Sequence, residues 1–209
     1  MKNILLLGSN SRSRKMLLTE AQIPFKEIGH TADESKVDRS LPFLELLSAI
    51  SRYKMEHVLL PDGKEGEVAY VLTADTMGIT GKGAIQGKAK DKADAIKMLK
   101  ALGKQCTTAT AFCLDKKIFK DGVWQVEQRI EKVVQAHYSF NVPENWAERY
   151  FKYSPGLSTA SAIAVELYGA QFLQSMNGSY TTIVGLPMFE LREALETVGF
   201  FLEEDNIKV

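Results

Sequence analysis

The sequence has few cysteines and no framework for joining them. Only Cys106 and Cys113 occur among the 209 residues, and their spacing fits no Cys-x-x-Cys metal or redox pattern. If residues 106–114 form a strand, the odd offset directs the two side chains to opposite faces, so they cannot easily bridge. Two thiols without a disulfide framework are typical of a reducing compartment, and we therefore expect a cytoplasmic protein.

Long apolar runs and an excess of one charge are also absent. Residues 4–7 are the only apolar run near the start, which is too short for a signal-peptide core, and no window approaches the roughly 20 apolar residues of a membrane span. Lys+Arg and Asp+Glu both number 26, so the formal net charge is zero. Non-specific electrostatic binding of nucleic acid usually needs an excess of basic residues. We therefore expect no membrane association and no nucleic acid polymer as partner.

What remains is an ordinary globular composition, with 45% hydrophobic and 25% charged residues. A chain of this length buries about 70% of its unfolded surface, so its core needs no disulfide or metal. We expect a single domain over residues 1–209, built as two lobes. Strand-like and helix-like segments mix without strict alternation, which favours an α/β or α+β fold with a mixed sheet. The expected strands include 3–7, 68–73, 107–114, 123–140 and 179–184, and the expected helices include 41–60, 91–102 and 143–153.

The first candidate site follows the first strand. Gly8 and Ser9 lead into a helix for which Ser11 is a suitable N-cap, with Arg12 and Arg14 in its first turn. Free backbone N–H groups at a helix start, together with arginine, can bind phosphate. The glycine pattern and Gly-Lys-Ser/Thr ending of a Walker loop are missing, and an ordinary helix cap with solvated basic residues would look the same.

Carboxylates define the second candidate site. Asp75 ends a strand that otherwise reads as buried, Thr76 follows it, and Asp33 and Glu34 could join it. Two carboxylates plus phosphate oxygens are the usual way to hold Mg²⁺, and a carboxylate beside such a metal can orient or deprotonate water. The alternative is a turn cap at Asp75 and a solvated loop at Asp33-Glu34.

Other segments are less specific taken alone. Lys54, on a predicted helix, and Lys88, after Gly87, could face solvent like most lysines. Glu166 lies in residues 158–169, whose small side chains would allow either a ligand or a close-packed loop. The three histidines show no metal-ligand spacing and read as structural.

Taken together, six segments in order resemble the Maf family of nucleotide pyrophosphatases. They are residues 8–15, which resemble Ala-Ser-x-Ser-Pro-Arg-Arg; Asp33-Glu34-Ser35; residues 50–54, which resemble Leu-Ala-x-x-Lys; Ala74-Asp75-Thr76; Gly87-Lys88, which resembles Gly-Lys-Pro; and Gly178-Ser179-Tyr180 with Val184-Gly185-Leu186-Pro187. No single motif is specific, but six in register are.

The resemblance implies a long mixed twisted sheet flanked by helices, with two lobes around a substrate cleft, as in Maf and ITPase-like folds. It implies hydrolysis of a nucleoside triphosphate between its α- and β-phosphates, with a divalent metal, Mg²⁺ first and Mn²⁺ or Co²⁺ as alternatives. By position, Asp75 is the catalytic carboxylate and Glu34 joins it as a metal ligand. Ser9, Arg12, Arg14, Lys54 and Lys88 bind the triphosphate, and Thr76 and Glu166 contact the substrate. The family often dimerises, so a homodimer is an open expectation.

The sequence departs from the family pattern at two places. Ser13 replaces the first arginine of the usual pair, and residues 159–167 lack the family's lysine and tyrosine and carry Glu166 where glutamine is usual. Both changes resemble a branch that acts on 7-methyl-GTP. A carboxylate accepts two hydrogen bonds, which suits the N1–H and N2 amino group of guanine, so we lean to 7-methyl-GTP as substrate.

Two alternatives stay open. Thr76 and Gly178-Ser179-Tyr180 resemble the pyrimidine-type members, which favours a dTTP/UTP-type enzyme. A third interpretation is a non-catalytic nucleotide-binding protein that acts in division control, motivated by Ser13, Thr159 and the lost glycines. Retention of the carboxylates and lysines favours an enzyme, since a pure binder needs no water-activating carboxylate.

Overall fold

A computed structural model describes residues 3–81, 83–102 and 105–202. The strands and α-helices, in chain order, are β1 (Leu5–Leu7), α1 (Arg12–Glu20), β2 (Phe25–Glu27), α2 (Phe43–Glu56), β3 (Val68–Thr80), β4 (Ile85–Gln86), α3 (Lys92–Leu102), β5 (Cys106–Lys120), β6 (Val123–Phe140), α4 (Ala147–Tyr153), β7 (Leu173–Asn177), α5 (Tyr180–Val184) and α6 (Met188–Thr197). Short 3₁₀ helices cover residues 34–36, 144–146, 156–158 and 167–172.

The strands form one mixed sheet in the order β2-β1-β3-β5-β6-β7, and β4 pairs with β3. β1 runs parallel to β2 and to β3, whereas the β3–β4 and β6–β7 pairs are antiparallel. Parallel neighbours need crossover connections, and α1 supplies the one between β1 and β2. The expectation of an α/β fold with a mixed sheet flanked by helices is confirmed.

Two compact units share this sheet. The first comprises Met1–Asp75, Ala111–Val133 and Leu186–Val209, and the second comprises Thr76–Thr110 and Val134–Gly185. Strands β3, β5 and β6 contribute residues to both units. The boundary on β3 falls between Asp75 and Thr76, so the first unit contains the candidate carboxylates.

In the first unit, β1 and β3 form the centre of the core. Leu5 and Leu7 of β1 and Val71 and Leu72 of β3 are fully buried. Helix α2 packs an apolar face that includes Leu47 and Ile50, as the helical spacing of the sequence indicates. Burial of each such side chain contributes about 1.5–3 kcal/mol, so this core fixes the position of α2.

A buried charge also ties β5 to β6 in this unit. Asp115 has no exposed surface, and both of its carboxylate oxygens accept from Arg129, at 2.7 and 2.8 Å. Lys117 lies 2.9 Å from the same carboxylate. Burial would raise the pKa of Asp115, but the bonds and charges of Arg129 and Lys117 outweigh it and lower that pKa. The carboxylate therefore stays charged and paired.

In the second unit, Tyr150 of α4 organises the segment after it. Its fully buried hydroxyl donates to the carbonyl of Ala162 at 2.9 Å and accepts from the N–H of Ala164 at 2.8 Å. At the first of these contacts, the backbone of Ser161 and Ala162 takes positive φ angles of 56° and 58°, a conformation that non-glycine residues seldom adopt. Tyr150 therefore holds residues 158–169 in an irregular, close-packed path.

Several element predictions need correction. Residues 179–184 form helix α5 from Tyr180, not a strand, because the β-branched run there packs as a single buried helical turn. Helix α2 is shorter at both ends than 41–60, and the segment from Pro143 opens with a 3₁₀ turn before α4. Cys106 and Cys113 are both free and buried on β5, as expected. Within the described ranges, no helix has the length and apolar content to cross a membrane.

Candidate active site

The loop after β1 is built around one serine hydroxyl. Ser9 Oγ accepts from Arg14 Nη1 at 2.8 Å and from the backbone N–H of Ser11 at 3.3 Å. Ser11 is the N-cap of α1, and its hydroxyl accepts from the N–H of Arg14 at 3.5 Å. The cap predicted from the sequence is confirmed, and it fixes the first turn of α1 with Arg14 folded back onto the loop.

Gly8 allows this loop to lie against β3. A Cβ atom at Gly8 would lie 2.9 Å from Thr73 Cγ2 and 3.0 Å from Val58 Cγ1. Contacts that short force neighbouring atoms to move. The glycine is therefore required by close approach of the loop to the strand that carries Asp75.

Arg14 is a buried cation close to two carboxylates. It is only 7% exposed, and burial lowers the pKa of its guanidinium, while the charges of Asp75 and Glu34 act to raise it. A buried arginine with nearby negative charge stays protonated. This arrangement places a positive charge beside the carboxylates, which suits the binding of a polyanion.

Lys54 joins those carboxylates directly. Its Nζ lies 2.7 Å from Asp75 Oδ1 and 2.9 Å from Glu34 Oε1. The side chains of Lys54 and Asp75 are 9% and 12% exposed, so their attraction is little screened by solvent. From the sequence alone, Lys54 could have faced solvent. The structure instead places it in a buried cluster of ion pairs.

Three different elements bring this cluster together. Asp75 lies on β3, Lys54 lies in the last turn of α2, and Glu34 begins the 3₁₀ helix at residues 34–36. The side chain of Asp33 caps that helix by accepting from Ser35 N at 3.1 Å. Asp33 thus orients the turn that presents Glu34, rather than joining the cluster itself.

One oxygen of Asp75 is left without a bond. Asp75 Oδ2 is buried and has no hydrogen-bond partner among the described residues, and such an atom costs about 1–3 kcal/mol of stability. A buried polar atom without a partner in a native protein marks strain, a catalytic role, or the binding of a water or an ion. Asp75 Oδ2 is therefore the atom best placed to bind a cation or a water.

The donor set fits a hard cation with few protein ligands. No group of three His, Cys, Asp or Glu side chains able to hold a metal occurs in the part of the chain that the structure describes. Asp75 and Glu34 supply two carboxylates instead. Mg²⁺ typically takes one or two carboxylates and completes its shell with waters and substrate phosphates, so these residues fit Mg²⁺ better than a metal that needs an all-protein site.

The ionisation of Glu34 depends on this arrangement. Burial alone would raise the pKa of Glu34, but the charge of Lys54, its hydrogen bond and the charges of Arg39 and His30 together lower it below the ordinary value. Glu34 is thus ionised at neutral pH, as a cation ligand must be.

The charges of the cluster also act on His30, a residue that the sequence left as structural. Its Nδ1 is buried and unpaired among the described residues, and its backbone bridges to Val58 just after α2. Burial lowers the pKa of His30, and the charges of Lys54 and His57 lower it further. The charge of Glu34 acts in the opposite direction and raises it.

We expect the Lys54→Met variant to raise the pKa of His30, because a neighbouring positive charge is removed. The pKa of His30 is depressed in the folded protein, so its neutral form stabilises the fold above about pH 6.5 and this contribution is lost as the pH falls below that value. NMR titration of the His30 ring gives the pKa, with Lys36→Met, which removes an exposed lysine, as control. An unchanged His30 pKa in Lys54→Met would contradict the placement of these two groups.

The remaining sequence candidates are more scattered. Arg12 is the exposed first residue of α1, three residues after Ser9 but outside the buried cluster. In the second unit, Lys88 is exposed and its backbone bridges to Ala160, while the N–H of Ser161 donates to Gly87 O at 2.8 Å. The Gly87-Lys88 segment and residues 158–169 are therefore neighbours, as a shared role would require.

Thr76 and Glu166 also belong to the second unit. Thr76 Oγ1 lies 2.9 Å from Thr110 Oγ1, and Thr110 donates its proton to the carbonyl of Thr182 at 2.9 Å. Thr110 has one proton and therefore accepts in the first of these bonds, while Thr76 Oγ1 also donates to the carbonyl of Gly185, at 3.4 Å. Glu166 is buried with 4% exposure and directly precedes the 3₁₀ helix at residues 167–172.

Most of the chain matches a known protein family. A family model described as Maf-like protein matches residues 4–198. The chain belongs to the Maf family. The match includes every candidate site residue in both units.

Similar Maf proteins from three bacteria carry the same name, dTTP/UTP pyrophosphatase. The protein of Hydrogenovibrio crunogenus is 29% identical over 97% of this chain and 100% of its own length. That of Caldicellulosiruptor saccharolyticus is 28% identical over 99% and 100%, and that of Syntrophus aciditrophicus is 32% identical over 93% and 90%. Each name describes pyrophosphatase activity on pyrimidine nucleotides.

Proposed function

We propose that this Maf protein is a nucleoside triphosphate pyrophosphatase acting on dTTP- and UTP-type nucleotides. The observation that carries the activity is the buried cluster in which Lys54 holds Asp75 and Glu34, with Arg14 beside them. The names of its relatives support both the reaction and the pyrimidine substrates. Hydrolysis adds water across the α–β phosphoanhydride and releases a nucleoside monophosphate and pyrophosphate.

Asp75 is the proposed catalytic carboxylate. Lys54 holds its Oδ1 at 2.7 Å, while its Oδ2 has no partner among the residues described. The lysine thus fixes the orientation of the carboxylate and leaves one oxygen to position the attacking water and accept its proton. A carboxylate that could rotate freely would spend little time in that orientation.

Asp75 and Glu34 together are the proposed ligands of a divalent cation, Mg²⁺ first and Mn²⁺ or Co²⁺ as alternatives. When bound, such a cation neutralises charge on the phosphate oxygens and lowers the pKa of a coordinated water. Within the chain, Glu34 is ionised and half-exposed, so it can meet an incoming hydrated ion.

The proposed cationic groups for the triphosphate are Arg14, Arg12, Lys54 and Lys88. Arg14 is held in place by Ser9 at 2.8 Å, so binding phosphate costs little side-chain entropy. Lys54 also offsets the charge of two carboxylates that would otherwise repel the substrate. The roles of Lys88, Thr76 and Glu166 in substrate binding follow from the resemblance alone.

The base preference departs from the lean toward 7-methyl-GTP. The relatives favour the pyrimidine alternative, which Thr76 and Gly178-Ser179-Tyr180 had also indicated. The glutamate at position 166 is buried in this chain and remains the specific reason to include methylated guanine in any substrate test.

A panel of nucleotides tests the proposal. We expect pyrophosphate release with Mg²⁺ from dTTP and UTP at least tenfold faster, by kcat/KM, than from GTP, ATP and 7-methyl-GTP, because a pocket built for a base's hydrogen bonds rejects the wrong edge strongly. Faster release of pyrophosphate from 7-methyl-GTP would instead support the hypothesis that Glu166 binds the guanine base. Binding of nucleotides without release of pyrophosphate would favour a non-catalytic protein. Omission of divalent cation, with EDTA present, is expected to abolish release.

A further inference from the structure

Thr73 lies directly behind the candidate cluster. It is fully buried on β3, two residues before Asp75, so the two side chains share one face of the strand. Its hydroxyl donates to the carbonyl oxygen of Ser51 on α2 at 2.7 Å. Ser51 precedes Lys54 by three residues and therefore lies on the same face of the helix.

Two polar links thus connect β3 to α2, one above the other. Thr73 bonds to Ser51, and Asp75 bonds to Lys54. The second link ends on a long lysine side chain, whereas the first ends on the helix backbone itself. Because a backbone atom cannot change rotamer, the bond from Thr73 fixes where α2 lies along β3, and hence where the Lys54 side chain starts.

The methyl group of Thr73 contacts a third element. Thr73 Cγ2 is the atom nearest to a Cβ built at Gly8, at 2.9 Å, and the N–H of Gly8 donates to Leu72 O at 2.8 Å. Gly8 precedes Ser9, which binds Arg14. The two branches of Thr73 therefore face different elements: the hydroxyl faces the helix of Lys54, and the methyl faces the loop of Arg14.

We infer that Thr73 is a positioning residue whose hydroxyl sets the register of α2 so that Lys54 reaches both Asp75 and Glu34. The inference deepens the proposed function and rests on it, since the effect expected is on turnover. Thr73 itself bonds to a backbone carbonyl and is buried, so it is not a catalytic residue.

The Thr73→Val and Thr73→Ser variants separate the two branches. Valine replaces the hydroxyl by a methyl of similar size, and serine keeps the hydroxyl and loses the methyl. We expect Thr73→Val to lower kcat about 10- to 100-fold, because a small misplacement of a catalytic group has effects of that order, with KM changed less than about threefold. We expect Thr73→Ser to keep kcat within about threefold of the wild type.

A double-mutant cycle distinguishes positioning from general destabilisation. If Thr73 acts through Lys54, adding Thr73→Val to Lys54→Met lowers the residual kcat less than twofold further, because the group being positioned is already gone. A merely structural role predicts the same fold-change in both backgrounds. Thr108→Val, which removes a buried hydroxyl bonded to Tyr138, is the control and should leave kcat unchanged.

The inference is overturned if Thr73→Val keeps kcat within twofold of the wild type, or if its effect is the same in both backgrounds. Should Thr73→Val not fold, Thr73→Ala compared with Thr73→Ser isolates the hydroxyl in the same way. Absence of pyrophosphate release from the wild type with every nucleotide would refute the proposed function instead. In that case the cycle of Thr73→Val and Lys54→Met is measured by the midpoint of thermal unfolding, Tm, in place of kcat. Non-additive changes in Tm support the inference, and additive changes overturn it.

Discussion

Asp75→Asn is expected to reduce kcat for pyrophosphate release by about 10²–10⁴-fold, the usual range for removal of a general base. Asparagine keeps the size of the side chain and an oxygen for Lys54, but its amide nitrogen takes the place of one carboxylate oxygen. The oxygen with no partner in the described structure, Oδ2, can then neither accept a proton from water nor bind a cation. Initial rates with dTTP or UTP at saturating Mg²⁺ measure the effect.

Nucleotide affinity should change little in the same variant. The groups proposed to bind phosphate, Arg14 and Lys54, remain, and loss of a negative charge removes some repulsion. Isothermal titration with a non-hydrolysable triphosphate gives the dissociation constant. The control is Asp38→Asn, which alters an exposed carboxylate bonded to its near neighbour Ser40. Full turnover by Asp75→Asn would show that another group activates the water.

The sequence predicted which of these residues act together, but not how their side chains are arranged. Motifs placed Ser9, Arg14, Glu34, Lys54 and Asp75 in one functional set, and the structure brings them together in one unit. No pattern indicates that the lysine ammonium bonds to both carboxylates, because that depends on where α2 packs along β3. Contacts between distant segments of this kind are set by tertiary packing, which local spacing does not record.

Residues that support the site were missed for the same reason. Thr73 reads as one more β-branched residue in a buried strand, and its bond to Ser51 appears only when helix and strand are placed together. His30 was judged by metal-ligand spacing and interacts instead with the charge of Lys54. In each case the residue type was visible, and the partner that gives it a role was far away in sequence.

The fold was predicted best where periodicity was long. The helices expected over residues 41–60 and 91–102 are present as α2 and α3. The error at α5 has a local cause. Thr181, Thr182, Ile183 and Val184 have strong β propensity, yet with Tyr180 they form a short helix of five residues. Tertiary burial of Thr182 to Val184 overrides propensity in so short a segment.

Lys54→Met is expected to lower both turnover and stability. Turnover should fall about 10²-fold or more, the order of effect for losing a preorganised group that stabilises developing charge. Stability should fall by about 3 kcal/mol, because the buried Asp75 carboxylate loses the ammonium that bonds to it and keeps only the charge of Arg14 nearby. The double variant Lys54→Met/Asp75→Asn should recover most of that stability but none of the activity, since it removes the uncompensated charge together with the proposed base. Urea unfolding and pyrophosphate release on the same samples separate the two effects.

Lys116→Met, which breaks the more exposed pair with Glu127, is the matched control and should cost far less stability. Equal stability losses in Lys54→Met and the double variant would mean that Lys54 stabilises the fold through its packing, and that its ammonium does not hold Asp75 in the orientation on which the proposed reaction depends.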